Sequence, residues 1–162
     1  MSTQHDFDFL IGAWRVAHRR LKRRLDGCTE WERFDGACNV AKTLGGQGNW
    51  DDNIVNLPSG AYRAKAFRAF DPATRTWAIW WLDARTPHAI DPPVIGAFRD
   101  GVGTFECDDV FEGRAIRVRF QWSRTDTASP RWEQAFSTDG GESWEMNWEM
   151  DFHRLCGAGA LS

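Results

Sequence analysis

His18 and Asp83 are the residues from which proton chemistry can first be drawn. An imidazole and a carboxylate within reach of one ligand can move a proton, and the carboxylate alone can hold the imidazole in one tautomer. His18 stands four residues beyond Trp14, so on an unbroken strand the two share a face, and Arg20 follows on it. Asp83 has the parity of Trp77, Ile79 and Trp81. Asp109 has that of Phe105, Cys107 and Phe111, which puts one carboxylate on an otherwise apolar face. Tyr62 opens its strand, where its hydroxyl can reach a ligand. Catalytic roles therefore fall to His18 and Asp83. Ligand contacts fall to Arg20, Tyr62 and Asp109 as polar anchors and to Trp77, Trp81, Phe120, Trp122 and Trp148 as stacking surfaces.

Other chemistry has less to stand on. Cys28, Cys38, Cys107 and Cys156 form no CxxC pair, and His5, His18, His88 and His153 are scattered, so no metal site is expected. Phosphate-loop, dinucleotide and HExxH patterns are absent. Asp51-Asp52-Asn53 is rich in oxygen but lacks the spacing of a calcium loop and reads as a loop or hairpin tip. Six of the 20 basic residues lie within 15–24, while the chain as a whole carries a net charge of -3. That run reads first as a solvated strand end and second as a site for a small anion or anionic partner, with nucleic acid not expected. Met1–Asp8 is polar and no apolar stretch could span a bilayer, so the expectation is a cytoplasmic protein with reduced thiols and no membrane insertion. A homodimer is left open.

The elements that must position these residues are strands. RAIRVRFQWS (114–123) alternates cleanly, with Ile116, Val118, Phe120 and Trp122 on one face. WEMNWEMDFHR alternates from Trp144 through Phe152, which predicts one face of Trp144, Met146, Trp148, Met150 and Phe152 and an opposite face of Glu145, Asn147, Glu149, Asp151 and His153. Asp71-Pro72, Asp100-Gly101 and Glu112-Gly113 mark hairpin turns. Gly36 interrupts 31–44 and reads as a bulge or bend. Residues 85–93, with three prolines, form the longest irregular link, and Asp6 or Asp8 can cap a short helical turn before Gly12. The tail CGAGALS (156–162) reads as frayed. About ten strands with short loops favour an all-β, antiparallel up-and-down barrel with a short N-terminal helical turn. One domain is expected over 1–162, its barrel core about 12–154.

The stretch DFDFLIGAW (6–14), a short turn leading into Gly-x-Trp, resembles the opening of the calycin superfamily of lipocalins, fatty-acid-binding proteins and nitrobindin-like barrels. With FDFLIGAWRVAHRRL, GCTEWERF, RAFDPATRTWAIWWLDAR, DPPVIGAF and RWEQAFSTDGGESWEMNWEMDFHR, nearly the whole chain is similar to bacterial proteins of the DUF1579-like group. The resemblance implies that Trp14 sits at the closed end of a barrel with Arg154 packed over its indole. Nitrobindin-like barrels bind haem through a histidine near the C terminus, and His153 stands near that place. Here, however, Arg15-Val16-Ala17-His18 replaces their glycine-rich motif, and His153 has the outward parity.

The 11 Phe, 10 Trp and one Tyr are the strongest compositional signal. Indoles in that number need broad packing surfaces or a cavity wall. The leading functional expectation is binding of a small hydrophobic or aromatic molecule in the barrel. The alternatives are a cofactor-independent isomerase, cyclase or lyase using the same cavity, and a haem-binding barrel. No cofactor is assigned to either of the first two readings, and whether the protein is an enzyme stays open.

Overall fold

Period-two alternation along consecutive segments leaves each strand with one apolar and one polar face, and closing the sheet on itself buries the first without leaving an edge. The computed structural model describes residues 2–156. It shows a 3-10 turn, Asp8–Leu10, and ten strands: β1 (Gly12–Leu21), β2 (Trp31–Thr43), β3 (Gly48–Leu57), β4 (Gly60–Asp71), β5 (Thr76–Asp83), β6 (Val94–Arg99), β7 (Val102–Phe111), β8 (Arg114–Ser123), β9 (Arg131–Ser137) and β10 (Glu145–Arg154). Each strand pairs antiparallel with its sequence neighbours, and β1 closes on β10. This is the up-and-down barrel expected from the hairpin spacing. Asp100-Gly101 and Glu112-Gly113 have positive φ at both positions (52° and 78°, 50° and 76°), the geometry that matches the twist of a tight hairpin. The frayed-tail expectation from residue 157 onward lies outside the described residues.

One end of the barrel is plugged. Phe7 and Leu10 are fully buried with Trp14, Trp77 and Phe105. The Phe7 ring meets the edges of Trp77 and Phe98, each at 4.9 Å. Asp6 does not cap the 3-10 turn, which has no side-chain cap. Its carboxylate instead accepts from the Ser2 and Thr3 hydroxyls and the Thr3 N–H, and this fold of residues 2–6 lets the Thr3 carbonyl take the Trp77 indole N–H at 3.1 Å. Trp14 pairs in register with Arg154, whose guanidinium lies 4.1 Å from the indole and donates to the Ile11 and Phe9 carbonyls. The contact is a cation–π clamp on the plug.

Two expectations about strand phase are corrected. Gly36 is no bulge: the pairing with β1 runs through it without a shift, and the pairing with β3 begins at it, Gly36 opposite Val55. It is glycine because a Cβ there would stand 2.4 Å from the Ile54 carbonyl and 2.9 Å from His18 Nε2. The bulge lies in β10, between Met146 and Trp148. It turns Asn147, fully buried, toward Gln134, which donates to its carbonyl at 2.9 Å. Trp144 is consequently not on the inner face: its indole carries Arg119 at 4.3 Å on the outside.

Candidate functional site

Small side chains on β4 and large ones on β8–β10 leave a room inside the barrel. On β4 the inward residues are Tyr62, Ala64, Ala66 and Arg68. Ala66 leaves space opposite Phe120, Trp122, Trp132 and Trp148. The result is a cavity of about 240 Å³ bordered by Trp81, Ile79, Val118, Phe136, Met150 and Phe152 as well. Its aromatic wall is braced by edge-to-face contacts: Trp132 meets Phe120 at 4.9 Å and Trp148 at 5.5 Å. Such contacts hold ring faces in place without closing the space between them.

One wall of this room is polar. Asp51 and Asn53 of β3 and Arg68 of β4 all border it. Arg68 Nη2 donates to Asp51 Oδ2 at 2.7 Å and Nη1 to Asn49 Oδ1 at 2.9 Å. Asp51 also accepts from the Ala66 N–H and the Asn53 amide. Arg68 is 5 % exposed and Asp51 2 %. A buried ion pair is a costly way to stabilise a barrel, since well-packed apolar residues do as well or better. Its place against a cavity makes it a candidate site. The sequence pattern misplaced it, because Asp51-Asp52-Asn53 read as a hairpin tip. These residues lie mid-strand, and Asn49, Asp51, Asn53, Val55 and Leu57 form the inward face of β3. Period-two parity with Val55 and Leu57 was the signal that could have found Asp51.

The far end is covered by a strap. The β1–β2 loop crosses from β1 to the β7–β8 turn, where Arg24 lies over Phe111 at 5.3 Å and Arg114 donates to the Leu25 carbonyl. The Leu25 N–H donates to the Glu145 carboxylate. Beside the strap lies the mouth, bordered by Asp91, Pro92, Cys107, Asp109 and Val110. The β5–β6 ladder runs only over Trp77–Ile79, and beyond it the 85–93 link touches β5 by a single bridge, Ile90 to Leu82. Partial burial raises the Asp91 pKa, helped by the neighbouring charges of Asp109 and Asp83. Burial, then the charges of Asp109, Asp108 and Asp91, pushes the Cys107 thiol up to about 11, which keeps it protonated and poorly nucleophilic at neutral pH.

The residues predicted from sequence divide into two groups. Trp81, Asp109, Phe120, Trp122 and Trp148 border the cavity. His18, Arg20, Tyr62, Trp77 and Asp83 do not. Trp77 belongs to the plug. Asp83 is held by Arg85 at 2.6 Å, and Arg85 stacks on Tyr62 at 3.7 Å, so these three form a cluster at the barrel rim. Arg20 bonds Glu32 at 2.9 Å and reaches the cavity only through the outer side of Trp148. His18 keeps the inward phase expected of it, but it is stacked on Phe34 at 4.8 Å, and its Nδ1 accepts the Trp148 indole N–H at 3.2 Å. An indole only donates, so Nδ1 is unprotonated and the ring is neutral. Burial, then the Arg20 charge, lowers its pKa to about 3, against a smaller opposing pull from Asp35. The structure does not bring His18 and Asp83 together, because Phe34 and Trp148 enclose the one and Arg85 holds the other. His153 is exposed, and no histidine borders the cavity among the described residues. The residues missed are Asp51, Asn53, Arg68, Asp91 and Trp132. All but Asp91 are strand residues whose meaning depends on which neighbour they face.

The basic run is largely spoken for. Arg19 pairs with Glu149, Arg20 with Glu32, Lys22 with Glu30 and Arg23 with Asp26. Among the described residues no group of His, Cys, Asp and Glu could hold a metal ion, and no helix is long and apolar enough to cross a membrane.

No protein-family model matches the chain, and no curated protein matches it. Solved structures do. The S-type phycobiliprotein lyase from Guillardia theta superposes with a TM-score of 0.61 at 9 % identity, over 97 % of this chain and 94 % of that one. At that identity the likeness is one of fold: this chain shares the antiparallel barrel of that lyase.

Proposed function

We propose that the barrel holds one small, largely aromatic or apolar molecule in its internal cavity. The observation that carries this reading is the room of about 240 Å³ walled by Trp81, Phe120, Trp122, Trp132 and Trp148. An apolar cavity of roughly 150 Å³ takes a benzene ring, so this one has space for about two fused rings. Stacking and edge contacts to the indoles supply affinity without any charge on the guest. Titration with 2-ethylnaphthalene, followed by tryptophan emission and calorimetry, tests it. Saturable one-to-one binding is expected, and Val118→Trp, which fills the space, should abolish it while the fold survives. Absence of saturable binding to the wild-type protein would overturn the reading.

A second reading is that the protein acts on what it holds, as an isomerase, cyclase or lyase without a redox cofactor. Two observations favour it. The structural neighbour bears the name of a lyase. The mouth carries Asp109 beside Asp91, whose raised pKa suits a proton donor better than an ordinary surface aspartate would. New product peaks separated by chromatography after incubation with a bound aromatic compound, and lost in Asp91→Asn with binding retained, would establish this reading. Binding with no conversion across a compound library would leave the protein as a carrier.

A further inference from the structure

The cavity wall built by β3 and β4 has more hydrogen-bond donors than the protein uses. A guanidinium has five N–H donors. Two of those on Arg68 go to Asn49 and Asp51, and Nε–H has no partner. A buried guanidinium with an orphaned N–H is costly unless something accepts from it. The aromatic neighbours of the group, Phe7 at 5.5 Å and Trp122 at 5.8 Å, offer ring faces but no oxygen. Asp51 accepts from Arg68 Nη2, the Asn53 amide and the Ala66 N–H, and makes no bond to Nε.

The charge balance of this wall limits what can fill the gap. Arg68 is matched by Asp51 at 2.7 Å, so the pair presents polar N–H groups with little net charge. At the mouth the carboxylates of Asp91 and Asp109 border the same cavity. An anionic guest would pass those carboxylates, lose its hydration and meet a cation already neutralised. A neutral oxygen acceptor on an aromatic body bears none of these costs and gains a charge-assisted hydrogen bond.

We propose that Arg68 is the polar anchor of the cavity and that the natural ligand is an uncharged aromatic molecule with a carbonyl-type oxygen, seated with that oxygen on the Arg68 guanidinium. This rests on the cavity-binding reading above and adds the chemistry of the ligand to it.

Three probes of similar shape separate the two levels: 2-acetylnaphthalene, 2-ethylnaphthalene and 2-naphthoate, titrated into the wild-type protein at pH 7.5. The ketone should bind about tenfold or more tighter than the hydrocarbon, since hydrogen bonds to charged groups contribute at that scale. Naphthoate should bind weaker than the ketone. In Asp51→Asn/Arg68→Met, which removes both charges together, the advantage of the ketone over 2-ethylnaphthalene should disappear. If that variant does not fold, Asp51→Leu/Arg68→Leu should show the same loss of the ketone's advantage. Equal binding of ketone and hydrocarbon to the wild type would overturn the anchor and leave the cavity reading standing. Tighter binding of naphthoate than of the ketone would overturn the uncharged ligand. Binding of none of the three would overturn the cavity reading and the anchor with it.

Discussion

Two buried basic side chains sit on the inner face of the barrel, His18 on β1 and Arg68 on β4, and they have opposite chemical situations. His18 is enclosed by Phe34 and Trp148, its Nδ1 is occupied by an indole N–H, and burial keeps it neutral. Arg68 carries a charge balanced by Asp51, retains an unpartnered N–H and borders open space. Burial of a polar residue does not by itself make a site. The His18 corner is a packed joint between β1, β2 and β10, whereas the Arg68 corner has an unused donor and borders a room that can hold a guest.

The largest expected effects come from breaking the Arg68 corner one partner at a time. Arg68→Ala or Asp51→Ala leaves an uncompensated charge in the interior and should cost about 3–5 kcal/mol in urea unfolding, while Asp51→Asn/Arg68→Met should cost clearly less than either single change. Additive losses in the double variant would mean that the two groups are not a coupled pair. His18→Ala should cost about 2–4 kcal/mol, from the lost ring and the stranded Trp148 N–H, with no change in the affinity of 2-ethylnaphthalene beyond what altered Trp148 packing causes. A loss of ligand affinity as large as that in Val118→Trp would make His18 part of the site.

The same contrast has a pH signature. The folded His18 pKa, about 3, lies below the ordinary 6.5 of an unfolded chain. Between those values the unfolded state binds a proton that the folded state refuses. The contribution of His18 is therefore fully present above about pH 6.5 and is lost as pH falls, at up to about 1.4 kcal/mol per pH unit. Urea midpoints measured between pH 7 and 5, above the range where carboxylates titrate, should fall in the wild type and stay nearly level in His18→Gln. An equal fall in both would remove His18 as the cause. The smallest effect is expected at the rim. Arg85→Ala breaks a largely exposed pair with Asp83 and a stack on Tyr62, and should cost less than about 1 kcal/mol with ligand affinity unchanged.

The barrel was legible in the sequence wherever alternation and turn chemistry act within one hairpin. Ile116, Val118, Phe120 and Trp122 share a face in the pattern and all four border the cavity. Asp100-Gly101 and Glu112-Gly113 turn where their residue types require it. Phase failed where a neighbouring strand decides it. The alternation from Trp144 to Phe152 is unbroken in the sequence, yet Gln134 on β9 draws Asn147 inward and a bulge puts Trp144 outside. Gly36 looked like a break and is a straight strand residue kept small by His18 and the Ile54 carbonyl. The basic run reads first as a solvated strand end, and three of its partners, Asp26, Glu30 and Glu32, lie in the same hairpin, whereas Glu149 lies 130 positions away from Arg19, beyond any local pattern. Asp51 and Arg68 escaped notice for the same reason: neither is unusual alone, and only the β3–β4 pairing makes them one group.

The central claim is that the barrel interior holds a room for an aromatic guest between β4 and β8. A crystal structure of the protein grown with 2-bromonaphthalene tests it most directly, because bromine marks its own position by anomalous scattering. The account predicts one peak inside the barrel, among Ala66, Phe120, Trp132 and Trp148. An interior filled by those side chains, with bromine found only on the outer surface or nowhere, would contradict it.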